Sequence, residues 1–422
     1  MTRTTWAVLP KLAIAFLSLA VLFSCDKKEE TVVEEKLKRA VLVYAAGDNN
    51  LTSGVDYLDS DIKQMREASK QLGKDNKLVI YVDSHDSKPF YLLVEDGDTT
   101  VLKNMTEEVK SSDPTTLFQA MKYVMDNYDA DSYGLVLWGH ADGWITRSAG
   151  GPRRAYGVDR TGGTTWMNIA NMAGVLERLP KLKFIFADCC AFLCVENTYE
   201  LRNCAEYIIG SPAEIPGEGA PYNTVVPALF SQSEDFYKSV IDAYFAQTSR
   251  GSNHSYKVPL AAVNTSQMDN LAEATAQTLA SFADKIEADN KGKRYPETDS
   301  LIYYYNHTQF DMQDFMLSYA DSDQYAEWKK AFDKAVPYST FTDVWMANHI
   351  LYTDKTNSEF EDFKPTKERM GVLGMFVPQN DNSTRWWPKS YLVNLGVSMT
   401  YLNNEIQNMQ WYKAAKLADA GW

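Results

Sequence analysis

The chain has 422 residues, of which 45% are hydrophobic and 23% are charged, and both fractions are ordinary for a globular protein. Its 10 Trp, 25 Tyr and 18 Phe argue against a disordered chain, because aromatic burial offsets much of the entropy lost on folding. The formal net charge is −14, which repels phosphate backbones, so we expect no nucleic acid as a partner.

The start of the chain has the pattern of an export signal. Residues 12–23 form an apolar run that is shorter than the roughly 20 residues needed to span a bilayer as a helix. The run ends in Leu-Phe-Ser-Cys, whose last residue is Cys25, and this tetrapeptide resembles the lipobox of bacterial lipoproteins. The resemblance implies removal of residues 1–24, lipidation of Cys25 and a charged tether over residues 25–38. The alternative is a plain secretory signal that ends nearby.

The charged residues after Cys25 are similar to those of surface-exposed lipoproteins of the Bacteroidetes type. That similarity implies an exported protein at the outer membrane or cell surface. The membrane is then a partner through the N-terminal lipid anchor.

Predicted strands and helices alternate along the rest of the chain, which indicates an α/β fold with a mainly parallel central sheet between helices. Strands are predicted at 40–46, 77–82, 90–94, 100–102, 133–138, 182–187, 207–210, 257–263 and 371–378. Helices are predicted at 53–71, 114–125, 195–201, 266–286 and 324–335. We expect a core over residues 39–290 and a more helical C-terminal extension over residues 291–422 that contributes a late strand and helices.

Two of the predicted strands end at residues that can carry nucleophilic chemistry. The strand at 133–138 leads to His140, and the next long strand leads to Cys189 and Cys190. Because ligand sites in open α/β sheets lie beyond the carboxyl ends of the strands, both side chains would face one crevice. A cysteine peptidase needs a thiolate and a proton-transfer partner of this kind. The helix predicted to follow would lower the pKa of a cysteine at its start.

The residues alone leave other interpretations open. A single histidine is often structural, and neighbouring cysteines are often small buried hydrophobic residues. Zinc is a further alternative, because Cys189, Cys190, Cys194 and His140 could supply four ligands. Adjacent cysteines chelate one ion poorly and no CxxC pair is present, so we expect no metal at this site.

These strand ends resemble the clostripain-like cysteine peptidases, which are relatives of caspases, legumain and gingipains. The resemblance covers most of residues 40–225 and, more thinly, the C-terminal part. It rests on four motifs in the family's order, followed by a similar late strand, at residues 44–51, 137–144, 186–190, 210–214 and 371–378.

The resemblance implies a caspase-haemoglobinase-like α/β/α sandwich and a cysteine endopeptidase with a Cys–His dyad. His140 and Cys190 would form the dyad, since the family motif places the nucleophile two residues after an aspartate, here Asp188. Cys189 is therefore not the expected nucleophile. The oxyanion would be held by the backbone N–H groups of Cys190 and Ala141.

Relatives of the clostripain type cleave after Arg or Lys, which implies an acidic substrate-binding pocket. Asp188 matches the family aspartate, and Glu218 is a second candidate acid. Self-processing would use a Gly-rich loop containing Arg147, Arg153 and Arg154, and the alternative there is a solvated basic loop. The expected partner is a protein or peptide substrate. Calcium is implied by the resemblance only, because no EF-hand-like spacing is present.

Two residues depart from the family pattern. Ala141 stands where the family usually has Gly after the histidine, and Cys189 stands where it usually has Ala. A glycine with a positive φ could not be replaced by Ala without strain, and adjacent cysteines can form a disulfide or react with oxidants. The alternative function is therefore a catalytically degenerate, lipid-anchored binding protein on the peptidase fold.

Overall fold

The central sheet is built from chain segments that lie far apart in the sequence. A computed structural model of the protein describes residues 36–145, 155–246, 258–298, 300–305, 308–342, 345–347, 350–351, 365–380 and 398–422. Its strands are β1 (Leu37–Gly47), β2 (Asn76–Ser84), β3 (Ser87–Glu95), β4 (Asp98–Asn104), β5 (Ala130–Gly139), β6 (Tyr156–Asp159), β7 (Thr165–Met167), β8 (Leu182–Asp188), β9 (Ala205–Gly210), β10 (Pro259–Asn264), β11 (Tyr303–Tyr305), β12 (Gln309–Asp311), β13 (Tyr338–Phe341), β14 (Met346–Ala347), β15 (Ile350–Leu351) and β16 (Gly374–Met375).

Helices flank the sheet and dominate the C-terminal part. They are α1 (Tyr57–Ser69), α2 (Pro114–Asn127), α3 (Ile169–Leu176), α4 (Val195–Glu200), α5 (Tyr222–Leu229), α6 (Phe236–Phe245), α7 (Met268–Phe282), α8 (Met312–Tyr319), α9 (Ser322–Ala335), α10 (Met399–Glu405) and α11 (Gln410–Ala414). Among the described helices, none has the length and apolar character required to cross a bilayer.

The central sheet is mixed, with the strand order β13–β10–β9–β8–β5–β1–β2–β3–β4. The five strands from β9 to β2 run parallel. Two antiparallel strands extend the sheet at each edge. Parallel pairing in the middle follows from the helical crossovers, and the antiparallel β2–β3–β4 edge follows from its short turns. The antiparallel strands β10 and β13 at the other edge are joined through helices.

Strand β1 shows why the fold has three layers. Its side chains alternate between two apolar cores, with Leu42 and Tyr44 in one and Val41 and Val43 in the other. A strand that is apolar on both faces must be covered by helices on both faces. The sequence predicted this strand because its residues form one unbroken apolar run.

Helix boundaries follow local capping. The side chain of Asp113 accepts a hydrogen bond from the Thr115 amide, and Pro114 occupies the first turn, so α2 begins where predicted. Helix α1 begins at Tyr57 rather than at residue 53, because Asp56 caps it from the preceding turn. The predicted late strand at 371–378 is shorter than expected and pairs as β16 with β12 in a small separate sheet.

The C-terminal residues take part in the central sheet. Strand β13 pairs with β10 along one edge, and helix α9 packs against α7. The boundary near residue 290 stays a prediction. The late strand and the helices expected beyond that point are present in the described residues.

The close packing of β5 against β8 gives a stability prediction. A Cβ on Gly134 would lie 2.3 Å from the Phe184 ring, so Gly134→Ala should lower the free energy of unfolding by about 1–3 kcal/mol. Gly174→Ala in helix α3 is the matched control, because nothing lies within 4 Å of its added methyl group. That control should be neutral or stabilise by up to about 1 kcal/mol. Urea unfolding of both variants checks the prediction, and equal stability of the two would contradict it.

Candidate active site

The register between β5 and β8 brings the two candidate dyad residues to one end of the sheet. The strands are parallel neighbours, and Trp138 pairs with Asp188. His140 and Cys190 each follow two residues after that pair, so they leave adjacent strands at the same level. The carboxyl end of the sheet is where α/β folds place their ligand sites.

His140 is half-buried and contacts the turn that follows β1. Its Nε2 atom lies 3.0 Å from the Asn50 side-chain oxygen, and its carbonyl accepts from the Gly157 amide at 2.8 Å. The ring is therefore oriented by a residue of a neighbouring strand end.

Cys190 is a free thiol that lies against the backbone of Ile215. Its Sγ atom is 3.4 Å from the Ile215 amide nitrogen and 3.6 Å from the carbonyl oxygen. Burial raises the pKa of Cys190 to about 12, and the negative charges of Glu214, Asp142 and Asp188 add to this. The thiol is thus protonated at neutral pH in this arrangement.

The segment after Cys190 is a turn followed by irregular chain, and it is not the start of a helix. The Ala191 amide donates to the Ala213 carbonyl at 2.8 Å, and the Leu193 amide donates to the Ser211 carbonyl at 3.0 Å. Helix α4 begins only at Val195. The prediction that a helix start lowers the pKa of Cys190 is therefore wrong, because these bonds hold residues 191–193 outside the helix.

Ala141 fits its position without backbone strain. The non-glycine residues with a positive φ in the described chain are Asp96, Ala191, Val372 and Lys416. Ala141 forms a bridge with Tyr156, and the bonds of that bridge use the His140 carbonyl and the Asp142 amide. The Ala141 amide consequently points away from Tyr156. Ala141 therefore replaces the family's usual glycine without adopting a left-handed conformation.

Cys189, Cys194 and Cys204 are buried free thiols. Burial raises the pKa of Cys189 well above its usual value. Cys204 donates to the Ala173 carbonyl at 3.6 Å, and Cys194 lies in a bridge with Gly374. In this structure they behave as small core residues.

Asp188 lies at the end of β8 and is buried. One carboxyl oxygen, Oδ2, accepts from the Ala220 amide at 3.0 Å and from the Tyr222 hydroxyl at 2.7 Å. The other oxygen is buried without a hydrogen-bond partner in the structure. Burial raises the pKa of Asp188 to about 6, although the two bonds oppose the shift.

Asp61 is a second buried acid, and the sequence analysis missed it. It lies on α1 and accepts a hydrogen bond from the Trp138 indole at 2.8 Å. A Cβ on Gly219 would lie 2.8 Å from an Asp188 oxygen and 3.4 Å from an Asp61 oxygen, so the two carboxyl groups meet there. Burial, the charge of Asp188 and the charge of Glu218 raise the pKa of Asp61 to about 9.

A signal for Asp61 is present in the sequence. The buried face of α1 includes Leu58, Asp61, Met65 and Ala68, and the acid interrupts an apolar stripe at helical spacing. Glu218 is exposed beside this pair. The predicted acids and Asp61 thus lie at one place, next to the end of β8.

Several predicted features lie outside the described residues. They are Cys25, Arg147, Arg153 and Arg154. For metals, no three His, Cys, Asp or Glu side chains of the described chain come together in a geometry that could hold an ion. Calcium therefore stays an implication of the family resemblance, and we assign no step to a metal.

The model of the clostripain family matches residues 43–413 of the sequence. The chain belongs to the clostripain family. It is a cysteine peptidase with the caspase-like α/β/α fold, which confirms the predicted family, fold and enzyme class. No curated protein matches the sequence.

Two solved structures are similar over nearly the whole chain. One is a secreted C11 cysteine protease from Bacteroides thetaiotaomicron in complex with an irreversible peptide inhibitor, at 26% identity and a TM-score of 0.70, covering 90% of this chain and 99% of that one. The other is an inactive zymogen C11 protease from Parabacteroides distasonis, at 25% identity and a TM-score of 0.71, covering 91% of this chain and 99% of that one.

The raised pKa of Asp61 gives a prediction about stability and pH. The folded state holds a proton that the unfolded state loses near pH 4, so stability from this group is lost as the pH rises toward about 9. Asp61→Asn keeps an acceptor for the Trp138 indole and removes the titration. Its stability relative to wild type should therefore increase with pH.

Denaturant unfolding at acidic and alkaline pH measures this difference. Asp59→Asn, at an exposed position on the same helix, is the control and should show no comparable trend. A difference between Asp61→Asn and wild type that does not change with pH would contradict the assignment of a buried proton to this pair.

Proposed function

We propose that the protein is an endopeptidase that cleaves after Arg or Lys, with Cys190 as nucleophile and His140 as proton-transfer partner. The observation that carries the proposal is the paired register of β5 and β8, which brings both residues to neighbouring strand ends. The free thiol of Cys190 and the half-buried ring of His140 are suited to these roles.

The reaction would follow the general course of thiol acyl transfer. His140 takes the Cys190 proton, and the sulfur attacks the carbonyl carbon of the scissile bond. The oxyanion is held by the amides of Cys190 and Ala141. His140 then gives its proton to the leaving amine, which leaves a thioester on Cys190. Water, deprotonated by His140, hydrolyses the thioester and restores the thiol.

The buried acids support a preference for a cationic side chain. Asp188 has an oxygen without a partner, and a guanidinium or ammonium group would supply the missing donors. Glu218 adds negative potential to the same place, and Asp61 would add to it by losing its proton beside a bound cation. In a site shielded from water, this attraction is worth more than at the surface.

Latency is part of the proposal. The pKa of Cys190 is raised to about 12, so the thiol must change its surroundings or be deprotonated by His140 before it attacks. A similar C11 protease is described as an inactive zymogen. We propose self-processing at Arg147, Arg153 or Arg154 as the activating change.

The proposed location is the outer membrane or cell surface, with Cys25 lipidated. A similar C11 protease is described as secreted, which supports export. Intact-mass analysis of the protein purified from membranes distinguishes a lipoprotein signal, which leaves lipid on Cys25, from a plain secretory signal. A mass without added lipid would leave the plain secretory signal.

The second candidate function is a degenerate binding protein on the same fold. The high pKa of Cys190 favours it, because a permanently protonated thiol binds peptides without cleaving them. Ala141 no longer favours it, since that residue is accommodated without strain.

The dyad gives a direct prediction. Cys190→Ala and His140→Ala should each abolish cleavage of Arg or Lys reporter peptides, with losses of at least about 1000-fold. Cys189→Ala, one residue away and buried, should keep activity close to wild type. The Cys190→Ala chain should also stay uncut where wild type processes itself.

Peptide turnover and gel analysis of the purified chains, under reducing conditions, provide the measurement. Full activity in Cys190→Ala would overturn the assignment of the nucleophile. An uncut wild-type chain that is nevertheless active would contradict self-processing but not the dyad. A wild type that binds peptides but never cleaves them would favour the degenerate binding protein.

The acidic pocket gives a prediction about pH. Asp188 has a pKa of about 6, so acidification protonates it and removes the charge that attracts the substrate cation. The ratio of kcat/KM for an Arg peptide to that for a norleucine peptide should rise through this pH and then level off. Asp188→Asn should lower the ratio and flatten its pH dependence. A ratio that stays constant with pH in wild type would contradict the role of Asp188.

A further inference from the structure

The loops that carry the two dyad residues are both bonded to a third part of the chain. We call residues 140–145 the histidine loop and residues 189–194 the nucleophile loop. Strands β11 and β12 lie in the C-terminal part, more than 100 residues beyond either loop. Across this strand pair Tyr305 faces Gln309, and each of them contacts one of the loops.

Gln309 contacts the nucleophile loop, and it also fills the space that a side chain at position 143 of the histidine loop would need. It is fully buried, and its Nε2 atom donates to the Ala191 carbonyl at 3.0 Å. The same nitrogen would lie 2.1 Å from a Cβ on Gly143, so the glycine lets the histidine loop approach. The amide of Gln309 therefore lies between the two loops.

Tyr305 makes the matching contact to the histidine loop. Its hydroxyl donates to the Asp142 carboxylate at 2.6 Å, two residues after His140. A charge-assisted hydrogen bond of this kind is strong when it is partly buried. Tyr305 and Gln309 thus bind the two loops from one antiparallel strand pair.

The nucleophile loop needs such support because its backbone is strained. Ala191 has a φ of 54°, a left-handed conformation that is unfavourable for a residue with a Cβ. Its amide is held by Ala213 and its carbonyl by Gln309. The Gly374 amide of β16 adds a bond to the Leu193 carbonyl at 3.0 Å. Bonds on both edges of the loop keep this conformation in place.

We infer that Tyr305 and Gln309 are positioning residues that hold the His140 and Cys190 loops in register for catalysis. The inference rests on the proposed dyad and adds residues from the C-terminal part to the active site. Neither residue needs to touch the substrate. Each acts through the backbone or side chain of a loop residue, so its loss should affect kcat more than KM.

Two substitutions remove single donors with little change of shape. Tyr305→Phe deletes the hydroxyl that binds Asp142, and Gln309→Met deletes the amide that binds Ala191. The matched controls are Tyr412→Phe and Gln313→Met. These lose equivalent bonds to the backbone carbonyls of Trp422, at 2.8 Å, and of Glu368, at 2.7 Å.

The measurements are kcat and KM on an Arg peptide, the melting temperature, and the rate of Cys190 alkylation by iodoacetamide against pH, resolved by mass spectrometry. Tyr305→Phe and Gln309→Met should lower kcat by about 10-fold to 100-fold with KM within about twofold. Their alkylation should reach half its maximum rate at a lower pH, because a loosened loop exposes the thiol to water. The controls should keep the wild-type kcat and alkylation profile at a similar loss of melting temperature.

A kcat loss no larger than that of the controls would overturn the inference, and so would an unchanged alkylation profile. If Gln309→Met fails to fold, Tyr305→Phe carries the test alone, since it removes one oxygen atom. If wild type cleaves no peptide, the proposed function fails. The alkylation profiles then decide the positioning role separately.

Discussion

The parallel pairing of β5 with β8 is the constraint on which the rest of the site depends. Both strands are buried among helices on each face, so a slip of one residue would move their side chains to the wrong core. The pairing of Trp138 with Asp188 therefore fixes where each strand ends. The positions of His140 and Cys190 are therefore determined by strand pairing and core packing rather than by a bond between the two side chains.

That placement has an electrostatic cost. The same strand ends bring Asp188 and Asp61 together in a buried setting, where two negative charges repel each other and are poorly solvated. The protein responds by holding protons, as the raised pKa values of both acids indicate. Burial also raises the pKa of the Cys190 thiol to about 12, and the charges of Glu214, Asp142 and Asp188 add to this shift. In the proposed function, a cationic substrate would favour the charged form of all three groups, so binding of Arg or Lys would also prepare the thiol for attack.

Much of this arrangement follows from the sequence. The central strands are unbroken apolar runs, and α2 has its cap and proline in the expected places, so local patterns determine them. His140 and Cys190 could be selected because each follows such a strand. Ala141 raised a doubt that only the backbone could resolve, since φ cannot be read from residue type.

The remaining features depend on contacts between distant segments. Gln309 reaches a residue 118 positions away, and Tyr305 reaches one 163 positions away, and no local pattern encodes either contact. Helix α4 begins where it was predicted, but the turn that separates Cys190 from this helix depends on bonds to Ser211 and Ala213 at another strand end. Tertiary hydrogen bonds therefore determine the surroundings of Cys190, and local propensity does not encode them.

The central claim is that Cys190 is the nucleophile of a peptidase whose pocket accepts a cation. Its most direct test is to treat the protein with an irreversible, thiol-reactive peptide inhibitor that carries Arg beside the reactive group, and to map the adduct by mass spectrometry. The account predicts one peptide adduct on Cys190, formed much faster than with the same inhibitor carrying norleucine. An adduct on Cys189, or equal rates for the two inhibitors, would contradict it.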